Sequence, residues 1–119
     1  MIVNTRPIIL ANKTNDLLAC SGIEFIHEPL TKILGISPPN QALEKLQQLD
    51  SYDAIIFTSQ SAAKFGSPYL QKYISKDLNL LVMAIGLATQ RVLSEHGLIS
   101  KIPSGFNSAG LAELIEQGK

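Results

Sequence analysis

The chain is short of the things that most readily betray a function. Its 119 residues include one cysteine and no tryptophan, and ten Lys plus Arg are balanced by ten Asp plus Glu. Cys20, being alone, excludes an internal disulfide and a multi-cysteine metal centre. Its apolar helical surroundings make it read as a small core residue rather than a nucleophile. No run of like charge occurs, so the basic stripe of a nucleic-acid binder is missing. An anion site here has to be made locally, from backbone amides and a few placed cations. No apolar stretch reaches the ~20 residues a bilayer-spanning helix requires, and no signal-peptide core is visible. The expectation is a cytoplasmic protein with no membrane partner. The G-x-S-x-G elbow, the P-loop, G-x-G-x-x-G and zinc motifs are all absent. His27 and His96 have no second histidine or cysteine at ligand spacing, so no metal is expected.

What is abundant is apolar side chain. Hydrophobic residues make up 45% and charged residues 17%, a balance that supports a core and argues against disorder. The length suits one compact domain or a piece of something larger.

Periodicity and breakers divide the chain into alternating elements. Ile2-Val3 reads as a short strand running into Thr5-Arg6-Pro7, with the proline suited to opening a helix. A helix from about Ile9 to Ser21 sets Leu10, Leu17 and Leu18 on one side and stops at Gly22. A short strand over Ile23 to Ile26 leads to "EPLTKILGISPPNQ", a linker by its three prolines. An amphipathic helix carrying Leu43, Leu46 and Leu49 follows, with Asn40 as its cap. Asp53 to Phe57 is a buried strand, Ser59 to Phe65 a helix, and Ser67-Pro68 restarts a second short helix. Leu80 to Ile85 is an apolar strand ending at Gly86, followed by a helix from Leu87 to His96 that Gly97 ends. Leu98 to Ile102 is weakly strand-like, Pro103 to Asn107 a loop, and Ser108 to Gln117 a last helix.

Strands alternating with helices, with wholly apolar middle strands, indicate a parallel sheet covered on both faces and right-handed crossovers. The expected class is α/β, doubly wound. The strand-helix-strand unit before the Pro-rich segment is too small to bury its own faces. The end of the chain just after a helix reads as incomplete, since an alternating fold would continue into another strand.

In a parallel sheet all strands aim their C-terminal ends at one rim, where helices begin and free N–H groups favour anions. Four junctions have that character: "TRP" with Arg6, "TSQSA" after Phe57, "AIGLAT" around Gly86, and "PSGFNSAG". The candidate binding residues are Arg6, Thr58, Ser59, Ser61, Gly86, Thr89 and Ser108. Each also has a plain structural role. Thr58, Ser59 and Ser108 read as helix caps in roughly two cases of three. Gly86 serves a backbone turn, Thr89 faces solvent one turn into its helix, and Arg6 pairs with a surface carboxylate. His96 sits at a helix C-terminus, where the dipole favours an imidazole. Acidic side chains lie away from the rim, Asp53 at a strand entry among them. A site built here works by binding and orienting rather than by acid–base chemistry, and a phosphorylated receiver domain is disfavoured for the same reason.

Taken in order, "TRP", "SGIEFIHEPL", "YDAIIFTSQSAAKF", "AIGLATQRVLSEHG" and "IPSGFNSAGLAELI" resemble uroporphyrinogen-III synthase across nearly the whole chain. The resemblance implies flavodoxin-like three-layer units in two domains joined by two connections. Residues 1–30 would open domain 1, 31–39 would form the first connection, and 40–119 would open domain 2. It further implies a lyase of tetrapyrrole biosynthesis that dehydrates the linear hydroxymethylbilane, inverts its last pyrrole and closes uroporphyrinogen III. No cofactor is implied, the complete protein would be a monomer, and the partner is the small-molecule substrate alone. Family chains are roughly twice as long, so this chain would be the inactive N-terminal part. The tyrosine the family uses to assist the leaving hydroxyl falls beyond Lys119, and none of the seven candidates is assigned catalysis. The competing reading is a non-catalytic, flavodoxin-like small-anion-binding or assembly module.

Overall fold

Two glycine-ended helices organise the molecule, one in each of its two units. The structure is a computed structural model describing residues 1–105 and 108–117, with Ser108, Leu111 and Leu114 described through their backbone only. It divides into Met1–Ile36 and Ser37–Lys119.

The first unit is β1 (Ile2–Asn4), α1 (Ile8–Cys20) and β2 (Phe25–His27). β1 and β2 pair in parallel, with Ile2 opposite Phe25 and Asn4 opposite His27. Pro7 stands at the mouth of α1 with φ −52°, where its missing N–H costs nothing. At the other end Gly22 takes φ 66°. Its N–H bonds Ala19 O at 3.0 Å while Ile23 N–H bonds Leu18 O at 3.0 Å, the paired closure of a Schellman motif. The unit buries little: Ala11 and Asn4 are its buried residues among those described, while Ile2, Val3, Ile8, Ile9, Leu17 and Ile26 are exposed. Leu17 therefore does not join Leu10 and Leu18 on a covered face, and Cys20 is exposed rather than a core residue. A three-residue strand pair has too little surface to cover both sides of a 13-residue helix.

The second unit contains α2 (Asn40–Gln47), a 3-10 turn at Leu49–Ser51, β3 (Ala54–Phe57), α3 (Gln60–Tyr73), β4 (Leu81–Ala84), α4 (Leu87–Glu95) and α5 (Ser108–Gln117). β3 and β4 are parallel with Ala54 opposite Leu81 and Phe57 opposite Ala84. Beyond β4, Lys101 makes a single parallel bridge to Met83, with Lys101 N–H on Val82 O and Ala84 N–H on Lys101 O, both 2.9 Å. Strand pairing over Leu98 to Ile102 is thus limited to one residue.

Alternation along the strands assigns the two faces. Phe57, Val82 and Ala84 enter a cluster with Leu49, Ala63, Leu70, Leu93 and Leu98, with Ile55 packed against it. α3 and α4 lie together over that face, and α2 packs on α3. On the other face α5 brings Ile115 to a cavity of about 590 Å³ shared with Ala54, Leu81 and Lys101. The class is α/β with parallel strands, as expected. Burying side chains such as Leu70 and Leu93 contributes about 1.5–3 kcal/mol each. Gly97, at φ 73°, closes α4 as Gly22 closes α1: Gly97 N–H bonds Ser94 O and Leu98 N–H bonds Leu93 O, both 2.9 Å.

Two element boundaries differ from expectation. Asn40 is the first residue of α2 rather than its cap; Pro39 holds that position with extended backbone. The expected pair of helices around Ser67-Pro68 is one helix, α3, running through Pro68. Proline removes the N–H that would bond the Lys64 carbonyl, but Lys64 and Pro68 are both exposed, on the side of the helix where a missing bond costs least. Ser67, fully buried, donates its Oγ–H to Ala63 O, and buried Ala63 and Leu70 hold both halves to the core.

Candidate functional site

In the second unit, parallel register brings two of the junctions together. Phe57 and Ala84 end their strands level, and Ile85 N–H donates to Phe57 O at 3.0 Å, extending the ladder by one residue. Thr58-Ser59 and Ile85-Gly86 consequently leave the sheet side by side, each feeding a helix.

At the first of these junctions Ser59 has extended backbone, φ −152° and ψ 159°, and its Oγ accepts from Ala62 N–H at 3.1 Å. That hydroxyl is a helix cap. The amides of Gln60 and Ser61 precede Ala62 in the first turn, where no helix carbonyl can serve them. Thr58 is exposed and Ser61 half-buried. Together they set a hydroxyl and two amide donors at the positive end of a 14-residue helix.

Gly86 is the N-cap of α4 with φ 91° and ψ 150°, a conformation that side chains disfavour strongly. A Cβ placed there would meet nothing within 4 Å, so the space beside the backbone is open to a ligand. Thr89 does not share that space. It is 3% exposed, turned into the packing of α4 rather than out to solvent. The first-turn residues that do face outward are Leu87 and Ala88.

The third junction of this unit follows the Lys101 bridge. Pro103 is fully buried, and α5 opens at Ser108. The Ser108 side chain and residues Phe106 and Asn107 lie outside the described residues, so the role foreseen for that hydroxyl has no geometry here. Gly110 is close to this loop: a Cβ on it would stand 2.5 Å from Gly105 O.

The first unit carries Arg6 at the end of β1. Its backbone N–H donates to Asn4 Oδ1 at 3.2 Å, its carbonyl accepts from His27 Nε2 at 2.9 Å, and its Nη1 donates to Thr14 Oγ1 at 3.3 Å. One of five guanidinium N–H groups is thereby engaged by a neutral hydroxyl. Immediately after Arg6, residues Pro7, Ile8 and Ile9 line an apolar groove of about 540 Å³ with Pro29, Leu30 and Ile33. An exposed cation next to an apolar groove suits an amphiphilic ligand bearing carboxylates. The sequence singles out Arg6 but gives no sign of its contacts with Asn4, Thr14 and His27, because a lone Asn in a strand and a lone His carry no spacing signal.

No three His, Cys, Asp or Glu side chains among the described residues stand together as a metal site. Nor is any helix among them long and apolar enough to cross a membrane.

The second unit has two strand ends and two helix mouths side by side, and the first unit by itself has Arg6 at a helix mouth. The model of the family Uroporphyrinogen-III synthase HemD matches residues 12–119. The chain belongs to this family. Two curated proteins provisionally named uroporphyrinogen-III synthase are similar to it. The Archaeoglobus fulgidus protein is 35% identical over 69 residues, covering 57% of this chain and 30% of that one. The Methanothermobacter thermautotrophicus protein is 28% identical over 113 residues, covering 93% and 44%. The crystal structure of uroporphyrinogen-III synthetase from Helicobacter pylori 26695 superposes with a TM-score of 0.72 at 20% identity, over 98% of this chain and 53% of that one. The chain therefore spans under half the length of those curated relatives and about half of that crystallised protein. The matched region takes in Thr58, Ser59, Ser61, Gly86, Thr89 and Ser108; Arg6 precedes it and is covered by the structural likeness.

Proposed function

We propose that this chain contributes carboxylate-binding walls to a uroporphyrinogen-III synthase, a lyase acting on hydroxymethylbilane in the cytoplasm. The observation that carries the reading is the family match over residues 12–119. The geometry supports it. The substrate is a flexible tetrapyrrole studded with acetate and propionate groups, and each candidate wall offers donors for carboxylates beside apolar surface. In the second unit Thr58, the amides of Gln60 and Ser61, and the open backbone at Gly86 would receive one set of carboxylates. Ser59 acts there by capping α3 and so fixing those amides, Thr89 by packing α4, and Ser108 by opening α5. In the first unit Arg6 would take another carboxylate, with a pyrrole edge against the Pro7–Ile9 groove.

Such walls act by orientation. Loss of hydroxide from an electron-rich pyrrole is intrinsically accessible, so holding the chain in a ring-closing pose supplies rate and selects the isomer. No residue of this chain is assigned as an acid or base.

The test is isomer analysis of uroporphyrinogen formed from enzymatically generated hydroxymethylbilane. The chain is assayed with and without any further segment encoded in the same reading frame. Type III product above the spontaneous type I background, reduced by Arg6→Ala or Thr58→Val, is the expected result. Type I product alone from every folded form would leave a small-anion-binding module as the better reading.

A further inference from the structure

Arg6 is held at three points, its backbone N–H, its carbonyl and its guanidinium. Three elements of the first unit converge on it. From β1, Asn4 Oδ1 accepts its N–H; from β2, His27 donates to its carbonyl; from α1, Thr14 accepts from its guanidinium. Asn4 and His27 are register partners in the parallel ladder, so the two contacts straddle Arg6 from neighbouring strands.

The chemistry of each contact is defined. A backbone carbonyl only accepts, so His27 Nε2 must carry the hydrogen, as it does in the Nε2–H tautomer and in the imidazolium but not in the Nδ1–H tautomer. Asn4 is 6% exposed, and a polar side chain so buried is costly unless bonded. Both ends of its amide are used: Oδ1 toward Arg6 N–H, and Nδ2 donating to Asn15 Oδ1 at 2.7 Å. Asn15 neighbours Thr14 on α1, so one helical turn anchors both the buried amide and the guanidinium. The ladder continues past β2, with Glu28 N–H on Asn4 O at 2.9 Å and Leu30 N–H on Thr5 O at 3.2 Å. The backbone leading into Arg6 is therefore pinned along β2.

We infer that Asn4 and His27 are positioning residues for Arg6, holding its backbone so that the guanidinium presents a fixed fork to a ligand carboxylate. The inference rests on the reading of Arg6 as a carboxylate contact. Neither residue touches the ligand. Their effect is to remove the ordering that an unrestrained arginine would undergo on binding.

The experiment uses the full 119-residue chain with uroporphyrin I, a stable octacarboxylate, as probe. Affinity is measured for the wild type, Arg6→Ala, Asn4→Ala, His27→Ala, His27→Gln and the Arg6→Ala/His27→Ala pair. The side-chain Nε–H of Arg6 is followed in parallel by 15N relaxation. His27→Ala and Asn4→Ala should each weaken binding about fivefold and free the Arg6 Nε–H. His27→Gln, whose amide can donate from the same place, should restore both. In the Arg6→Ala background His27→Ala should add nothing. An equal loss in that background, or an Arg6 Nε–H that is as mobile in the wild type as in His27→Ala, overturns the proposal. Should the wild type fail to bind the probe while Arg6 is ordered through Asn4 and His27, the carboxylate reading falls and the positioning stands. Should Asn4→Ala not fold, the half-buried His27 still decides through its three variants.

Discussion

At the scale of single residues, the same side chain often has to be either a piece of scaffold or a ligand contact, and geometry separates the two. Ser59 is scaffold: its Oγ already accepts from Ala62 N–H. Thr89 is scaffold because it is buried. Gly86 answers to backbone alone. With φ 91° and no atom within 4 Å of a built Cβ, its replacement meets conformational strain and no clash. Gly86→Ala is therefore expected to destabilise the chain by about 1–3 kcal/mol, read as a lower urea midpoint with unchanged slope. An unchanged midpoint would mean that the turn into α4 relaxes to an ordinary conformation. None of this could be read from "AIGLAT", since a glycine in a turn and a glycine clearing room for a ligand look alike in one dimension.

At the scale of elements, punctuation was legible and continuity was not. Gly22 and Gly97 ended their helices where the sequence placed the stops, because Schellman closure depends on a positive φ that glycine accepts readily. Local rules favour a new helix start at Ser67-Pro68. Instead α3 runs through it, since Ala63, Ser67 and Leu70 on one face are buried and tertiary packing outweighs one missing hydrogen bond. Pro68→Ala should restore that bond at an exposed position and stabilise the chain by about 1 kcal/mol, less the entropy proline removes from the unfolded state. Thermal unfolding checks the sign; a lower Tm for the alanine variant would show that the restriction proline places on the unfolded chain outweighs the restored bond.

At the scale of the whole molecule, stability is unevenly spread. The second unit has a contiguous cluster around Leu70, Val82 and Leu93, whereas the first buries only Ala11 and Asn4 among its described residues. Amide exchange should reveal two levels of protection. The bonded amides of Ile2 and Glu28 are expected to exchange at least about 100-fold faster than those of Ile85 and Lys101 under native conditions. Equal rates across all four would mean that the two units open together. The assay of type III product belongs to this scale too, because the chain spans only part of the length of its relatives.

Alternation of apolar strands with helices, and the glycine and proline stops between them, settled the α/β class, because they reflect local periodicity and backbone freedom that each residue carries with it. The order of five short motifs pointed to the family for a related reason: motif order is a property of the chain. Packing alone decided which hydroxyls face outward, because a helix must first turn its apolar side to the sheet and its remaining residues follow. Hence Thr89 went inside and Ser61 stayed half-covered. The hold on Arg6 was invisible for a deeper reason: Asn4, Thr14 and His27 are separated along the chain, and only the parallel register of β1 and β2 beside α1 brings them to one residue.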